Sequence, residues 1–311
     1  MSGRDWYPSF IVIGAVKAAT TWIQMRLQEN PRIFLPDCEP HFFSAGFERG
    51  EEHYRTFFET RPSSVEIVGE KSADYLAHPL AAQRVAKMLP DVRLVLQLRN
   101  PVERAYSDYK MFYRRGTISG PPEEYLSRPD SSVPRFLEDG LYARHLRRWL
   151  DLFPRENILV YLYEDVDRRP EEIVHSVSRH IGVEPVYAPE RVSQRENNSR
   201  AAILPLPLRR ALAPLKGVVR PLRGNPLFEG TRSLMAREIA YPPLSPALRQ
   251  HLIDFYARDV EQLASLCDLD LTSWNLSGLQ KVHSITAAPS STSSPILARR
   301  GSAANSRERT G

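Results

Sequence analysis

Two kinds of apolar pattern alternate along the first 182 residues of the chain. Unbroken runs rich in β-branched residues, near 9–14, 65–70, 92–98 and 157–163, predict strands buried on both faces. Between them apolar residues recur every third or fourth position, which predicts helices near 20–29, 50–60, 79–89, 101–115, 140–152 and 170–181. Pro31, Pro62, Pro90 and Pro154 each stand where such a helix has to stop, since proline has no N–H to continue the ladder. Strands buried on both faces and joined through helices pair in parallel. The expected fold is therefore α/β, a single-domain, three-layer, doubly wound parallel sheet flanked by helices. The rhythm breaks near residue 185. From Ala201 to Pro246 the chain is dense in proline, arginine and leucine, and an amphipathic helix then returns between Pro246 and Cys267.

Two strand-to-helix junctions carry candidate chemistry. The first strand runs through Phe10, Ile11, Val12 and Ile13 into Gly14, and the next helix, opened by Thr20 or Thr21, carries Trp22, Ile23, Met25 and Leu27. Unpaired N–H groups at such a helix start, with the positive end of its dipole, suit an anion. Lys17 stands in the connecting turn. A Walker A nucleotide loop puts a glycine and a lysine directly before Ser or Thr. Here Ala18 and Ala19 separate Lys17 from Thr20 and Thr21. At the second junction Arg99 ends the strand, Asn100 is a natural N-cap and Pro101 a natural first helical residue, with Ser107 two turns on. Both junctions belong at the carboxyl edge of the sheet, where ligands of parallel α/β proteins bind.

Lys17-Ala18-Ala19-Thr20-Thr21-Trp22 resembles K-x-G-T-T-x, the phosphosulfate loop of sulfotransferases that use 3′-phosphoadenosine 5′-phosphosulfate (PAPS). Ala19 stands where that family usually has glycine, so the backbone there either keeps φ negative or accepts strain. Arg99 to Tyr109 resembles the family's 3′-phosphate segment, R-N-P-x-x-R-A-x-S-x-Y. Glu39-Pro40-His41-Phe42-Phe43 and Glu70-Lys71-Ser72-Ala73-Asp74-Tyr75 look like the E-x-H-F-F and E-K-[ST]-x-x-Y segments of its bacterial and heparan-sulfate-type branch. The likeness spans residues 8 to 200 at motif level and runs more loosely to Trp274, and Asn197 to Arg200 resembles a late N-x-S-x-x-P-R segment.

This resemblance implies a P-loop-like sheet and transfer of a sulfuryl group from PAPS to a hydroxyl of a small-molecule or glycan acceptor. It implies that the donor is held by Lys17, by backbone N–H groups of Ala18, Ala19, Thr20, Thr21 and Trp22, and by the two threonine hydroxyls. Arg99 and Ser107 fall on the 3′-phosphate, Trp22 on adenine or in the core, and Arg200 near the nucleotide. Glu39 takes the role of base, His41 of its orienter or substitute, and Lys71 meets the sulfuryl oxygens or the acceptor; Glu70 is structural. A P-loop kinase is the rival enzyme class, lacking its Gly-Lys-Ser/Thr here. A nucleic-acid or anionic-surface binder is the non-catalytic rival, and its stacking aromatics are sparse, with only Phe228 and Tyr241 near the basic segment.

Composition adds compartment and boundaries. Apolar residues make up 42% and charged residues 25% of 311 positions, ordinary for a globular domain with a full core. The net charge of +5 is unevenly spread. Arg200, Arg209, Arg210, Lys216, Arg220, Arg223, Arg232 and Arg237 face only Glu229 in one segment, and Lys281, Arg299, Arg300, Arg307 and Arg309 face only Glu308 in the tail. The rest of the chain is net acidic. The expected organisation is a catalytic domain over 1–276, with a basic lid-like segment at 200–245, and a disordered tail over 277–311 that cannot bury a core. No apolar run approaches the roughly 20 residues that span a bilayer, and residues 1–8 lack the shape of a secretion signal, so a cytoplasmic enzyme is expected. Cys38 and Cys267 make no disulfide framework, and Cys38 is expected to pack in its loop. No Cys/His spacing suits a metal, and none is expected.

Overall fold

The computed structural model describes residues 6–188 and 237–274. Arg200, most of the basic segment and the tail over 277–311 lie outside the described residues. Five parallel strands, β1 (Phe10–Gly14), β2 (Ile33–Phe34), β3 (Ile67–Lys71), β4 (Arg93–Leu98) and β5 (Ile158–Leu162), form a sheet in the order β2-β3-β1-β4-β5. The longer helices are α1 (Thr20–Gln28), α3 (Ala81–Met88), α4 (Pro101–Arg115), α7 (Tyr142–Leu150), α9 (Pro170–Ile181) and α10 (Pro246–Cys267). Shorter ones are α2 (Gly50–Arg55), α5 (Pro122–Leu126), α6 (Arg135–Glu138) and α8 (Tyr163–Val166). The chain leaves β1 toward β2 and leaves β4 toward β5. Strand order therefore reverses between β1 and β4, and the crevice at their carboxyl ends is the topological switch point.

Strand alternation divides the core between the two faces of the sheet. Phe10 and Val12 turn to a cluster with Ile23 and Leu27 of α1 and Val174, Val177 and Ile181 of α9. Ile11 and Ile13 turn to a larger cluster with Val102 and Ala105 of α4, Leu146 and Trp149 of α7, and Leu252, Tyr256 and Leu263 of α10. All four β1 residues are fully buried, each burial being worth about 1.5–3 kcal/mol. Gly69 of β3 is required by this packing, since a Cβ there would stand 2.2 Å from the Phe10 ring. The last helix is locked to the body by hydrogen bonds as well as by apolar contact. Leu141 gives α7 no side-chain cap, and Asp259 of α10 supplies one instead, accepting from Ala143 N–H at 2.9 Å and Arg144 N–H at 3.0 Å.

The predicted strands and principal helices are present; the short helices α5, α6 and α8 stand where no helix is predicted, and three further differences appear. The two-residue edge strand β2, between Pro31 and Pro36, is too short to leave a pattern. The helix expected over 50–60 ends at Arg55 and continues as a 3₁₀ turn, Thr56–Phe58. Cys38 is exposed rather than packed. Among the described residues no helix is long and apolar enough to cross a membrane.

Candidate active site

The turn leaving β1 is built around two left-handed residues, Lys17 at φ 69° and Ala19 at φ 63°. Ala19 is the N-cap of α1 and brings no side-chain hydrogen bond, while Trp22 N–H returns to Ala19 O at 2.9 Å. The N–H groups of Thr20 and Thr21 thus have no intrahelical partner. Of the two options open to Ala19, the backbone takes the strained one, at about 1 kcal/mol for a residue with a Cβ. Gly14, where β1 ends, has no room for a Cβ, which would come within 3.0 Å of both Ala73 O and Leu76 Cβ. Thr20 is buried, Thr21 is half-buried, and Trp22 is half-buried against the Phe10 cluster.

Lys17 extends toward α4, its Nζ 3.6 Å from Met111 Sδ. Burial pushes its ammonium below the ordinary lysine range; Asp108 opposes this, and Arg115, Arg99 and Arg135 reinforce it. Ser107 lies one turn before Met111 on the same face of α4. Across the crevice Arg99 donates to Lys17 O at 3.2 Å and lies over the Tyr163 ring at 4.8 Å, and its own carbonyl accepts from Tyr142 Oη at 2.9 Å. The next residue fixes the helix start. Asn100 Oδ1 accepts from Val102 and Glu103 N–H, its amide donates to Trp274 O at 2.8 Å, and its N–H donates to Glu164 Oε1 at 2.9 Å.

One strand over, the exit of β3 carries the acid–base groups. β3 pairs with β1 in the register Val12↔Lys71, and Ser72 and Leu76 N–H continue onto Val12 O and Ile13 O. Lys71, nearly buried, donates to Glu39 Oε1 at 2.7 Å, and Glu39 Oε2 accepts from Ala73 N–H at 2.9 Å. His41 Nδ1 meets Asp74 Oδ1 at 2.8 Å, with His41 Nε2 3.8 Å from Glu39 Oε2. The Asp74 hydrogen bond raises the imidazole pKa against the burial that lowers it. Sequence spacing offers no metal cluster, yet the fold gathers Glu39, His41 and Asp74 with ligand atoms within 4.8 Å of one another. Glu39's oxygens are engaged by Lys71 and Ala73, which makes this an ion-pair network around a lysine. A carboxylate has about four lone-pair sites, so Glu39 retains room for a further donor.

The sulfotransferase domain family matches residues 8–200, well over half of the chain. The chain belongs to the sulfotransferase family. This sulfotransferase-family chain is 31% identical over 193 residues to heparan sulfate glucosamine 3-O-sulfotransferase 6 of Homo sapiens, a match covering 59% of this chain and 55% of the relative. It is 29% identical over 310 residues to the bifunctional heparan sulfate N-deacetylase/N-sulfotransferase 4 of Mus musculus, covering 90% of this chain and 32% of that one. It therefore spans about half the length of the first relative and a third of the second. A crystal structure of a sulfotransferase from Alicyclobacillus acidocaldarius matches with a TM-score of 0.64 at 26% identity, covering 86% of this chain and 98% of that one.

The sulfotransferase motifs named from sequence converge at one edge of the sheet: Lys17 to Trp22 after β1, Arg99 and Ser107 beside β4, Glu39, His41 and Lys71 beside β3. Tyr109, Tyr142 and Trp149 are fully buried packing residues, and Tyr106 and Phe112 pack half-buried. Sequence reasoning assigned no role to Asp74, Met111 or Tyr163. Asp74 was within reach, three residues past Lys71 in a quoted segment. Met111 follows Ser107 by one helical turn, and Tyr163 opens α8 directly after β5, the strand beside β4, a neighbour that only the sheet order reveals.

Proposed function

We propose that this protein transfers the sulfuryl group of PAPS to a hydroxyl or amine of a carbohydrate. The observation that carries the reading is a crevice with a cationic group at each side: Lys17 beside an uncapped helix start, and Arg99 a strand away. A nucleotide with phosphoryl groups at its 3′ and 5′ ends fits such a donor set, the helix N–H groups and Lys17 taking the 5′ end, Arg99 and Ser107 the 3′ end. PAPS supplies an activated sulfuryl group whose S–O bond to the 5′-phosphate breaks as the bond from sulfur to the acceptor forms. Lys17 and the N–H groups of Thr20 and Thr21 neutralise the charge that grows on the leaving oxygen. Glu39 takes the acceptor's proton, Lys71 holds Glu39 and polarises the sulfuryl oxygens, and His41, pinned by Asp74, orients Glu39. The relatives, one a heparan sulfate glucosamine 3-O-sulfotransferase and one a heparan sulfate N-deacetylase/N-sulfotransferase, support a glycan acceptor and leave both acceptor atoms open to test. No step in this scheme calls on a metal ion or nucleic acid, and we place the reaction in the cytoplasm, in a domain spanning 1–276.

Calorimetry with adenosine 3′,5′-bisphosphate tests the donor site directly, and transfer of labelled sulfate to hydroxyl- and amine-bearing oligosaccharides tests the reaction. Binding of the bisphosphate in preference to ATP, with transfer insensitive to a chelator, is expected. Uptake of ATP with no heat from the bisphosphate would sink the proposal and favour a kinase.

A further inference from the structure

Glu70 is the one fully buried carboxylate at the carboxyl edge of β3 among the described residues, and the transfer scheme gives it no part. Alternation along β3 turns it away from Lys71, toward Tyr54 of α2. Three hydroxyls converge on it: Tyr54 Oη at 2.7 Å, Ser72 Oγ at 3.2 Å and Tyr75 Oη at 3.2 Å. Two of these have a second task. Ser72 Oγ accepts from His41 N–H at 3.0 Å, and Tyr75 Oη accepts from Phe43 N–H at 3.1 Å. Each hydroxyl has a single proton. By accepting the hydrogen bonds of both hydroxyls, Glu70 leaves the oxygens of Ser72 and Tyr75 facing the main chain of the segment that carries Glu39 and His41. That segment needs holding, because His41 sits at φ 50°, a left-handed conformation that persists in an ordinary residue only when its surroundings fix it.

We infer that Glu70 is a positioning residue, which through the hydroxyls of Ser72 and Tyr75 fixes the backbone at His41 and Phe43 and so sets where Glu39 and His41 meet the acceptor. The inference rests on the proposed transfer reaction for its kinetic consequence, and on geometry alone for its structural one. The groups facing Glu70 are Tyr54 from α2 and Ser72, Asp74 and Tyr75 from the β3 exit, and the His41 imidazole feels its charge without a direct contact.

Four variants test it: Glu70→Gln, Ser72→Ala, Ser72→Thr and Tyr75→Phe. Glu70→Gln and Ser72→Ala should each lower kcat about ten- to hundredfold while the dissociation constant of adenosine 3′,5′-bisphosphate stays within about twofold. Ser72→Thr, which keeps the hydroxyl, should recover most of that kcat. NMR titration of His41 needs no turnover: its raised pKa should fall toward that of free imidazole in Ser72→Ala and stay raised in Ser72→Thr, a contrast in which the direct pull of the Glu70 charge, lost in Glu70→Gln, is kept. Wild-type kcat in Glu70→Gln and Ser72→Ala, with an unmoved His41 titration in Ser72→Ala, would overturn the inference. So would a parallel loss of kcat and bisphosphate binding, which marks general loosening. A wild-type protein that transfers no sulfate would instead remove the proposed function, with the His41 titration still deciding the role of Glu70. If Glu70→Gln fails to fold, the Ser72 pair and Tyr75→Phe carry the test.

Discussion

Arg99 donates from its guanidinium to the backbone carbonyl of Lys17 across 3.2 Å, so the end of β4 is clasped to the turn that leaves β1. One guanidinium thereby has two duties, since the same group lies over Tyr163 at the opening of the crevice. Its fork has five N–H donors, enough to hold the turn and still reach a phosphate.

Arg99→Ala should raise the dissociation constant of adenosine 3′,5′-bisphosphate about ten- to hundredfold, the loss expected of hydrogen bonds to a charged group worth about 1.5–3 kcal/mol. Arg99→Lys should recover only part of this, because an ammonium lacks the planar fork that reaches the Lys17 carbonyl and a ligand together. Calorimetry of the two variants beside the wild type reads the difference.

Glu39→Gln should lower the transfer rate about 10²–10⁴-fold, as for loss of a general base, with donor affinity little changed. The substitution also strands Lys71, whose side chain is only 4% exposed, so a modest loss of stability accompanies it. Rate measurements at saturating donor, with bisphosphate affinity measured separately, tell catalysis from binding. Equal loss of both would reassign Glu39 to the donor site.

Ala19 at φ 63° is a stability test independent of function. Ala19→Gly should stabilise the protein by about 0.5–1 kcal/mol, the cost of a left-handed Cβ less the extra freedom glycine has when unfolded. Ala19→Val should destabilise it. Urea melts give both values, and an Ala19→Gly protein no more stable than the wild type would show that strain is offset elsewhere in the turn.

How much of this was legible in the sequence follows from how local each feature is. The β1 turn and the Asn100-Pro101 helix start declare themselves because strand, cap and helix are contiguous, and Asn100 caps Val102 and Glu103 as its position predicts. The E-K-S segment places Lys71 but not its partner, since the 2.7 Å contact joins Glu39 and Lys71 across 32 residues. Glu70 resembles any carboxylate after a strand until Tyr54 and Tyr75 are seen to close on it. Asp259, 116 residues from the N–H it caps, carries no signal at all, and the two-residue strand β2 is below the length at which alternation can be read.

Asp259→Ala should cost about 1–2 kcal/mol or more, because the N-terminal N–H groups of α7 lose a buried acceptor that no neighbouring side chain replaces. Asp259→Asn retains an oxygen and should cost less. Chemical denaturation separates the two, and equal effects would mean that the charge, rather than the hydrogen bonds, holds α10 to α7.

Glu70 links stability to pH in the opposite sense from a salt-bridged carboxylate. Burial, only partly offset by hydrogen bonds from Tyr54, Ser72 and Tyr75, raises its pKa from the ordinary 4.5 to about 7 in the folded protein. Between those values the native state binds a proton that the unfolded chain has released, so stability falls as pH rises through the window and levels off above it. The slope removed by Glu70→Gln should amount to about 3 kcal/mol between about pH 4 and pH 8, on the order expected for a shift of this size. His41, with its raised pKa, contributes a fall in the same direction, and its own NMR titration in each protein gives the part of the difference to subtract before the remainder is assigned to Glu70. Parallel curves for the two proteins across that range would mean that Glu70 is ionised throughout, held so by its three hydroxyl donors.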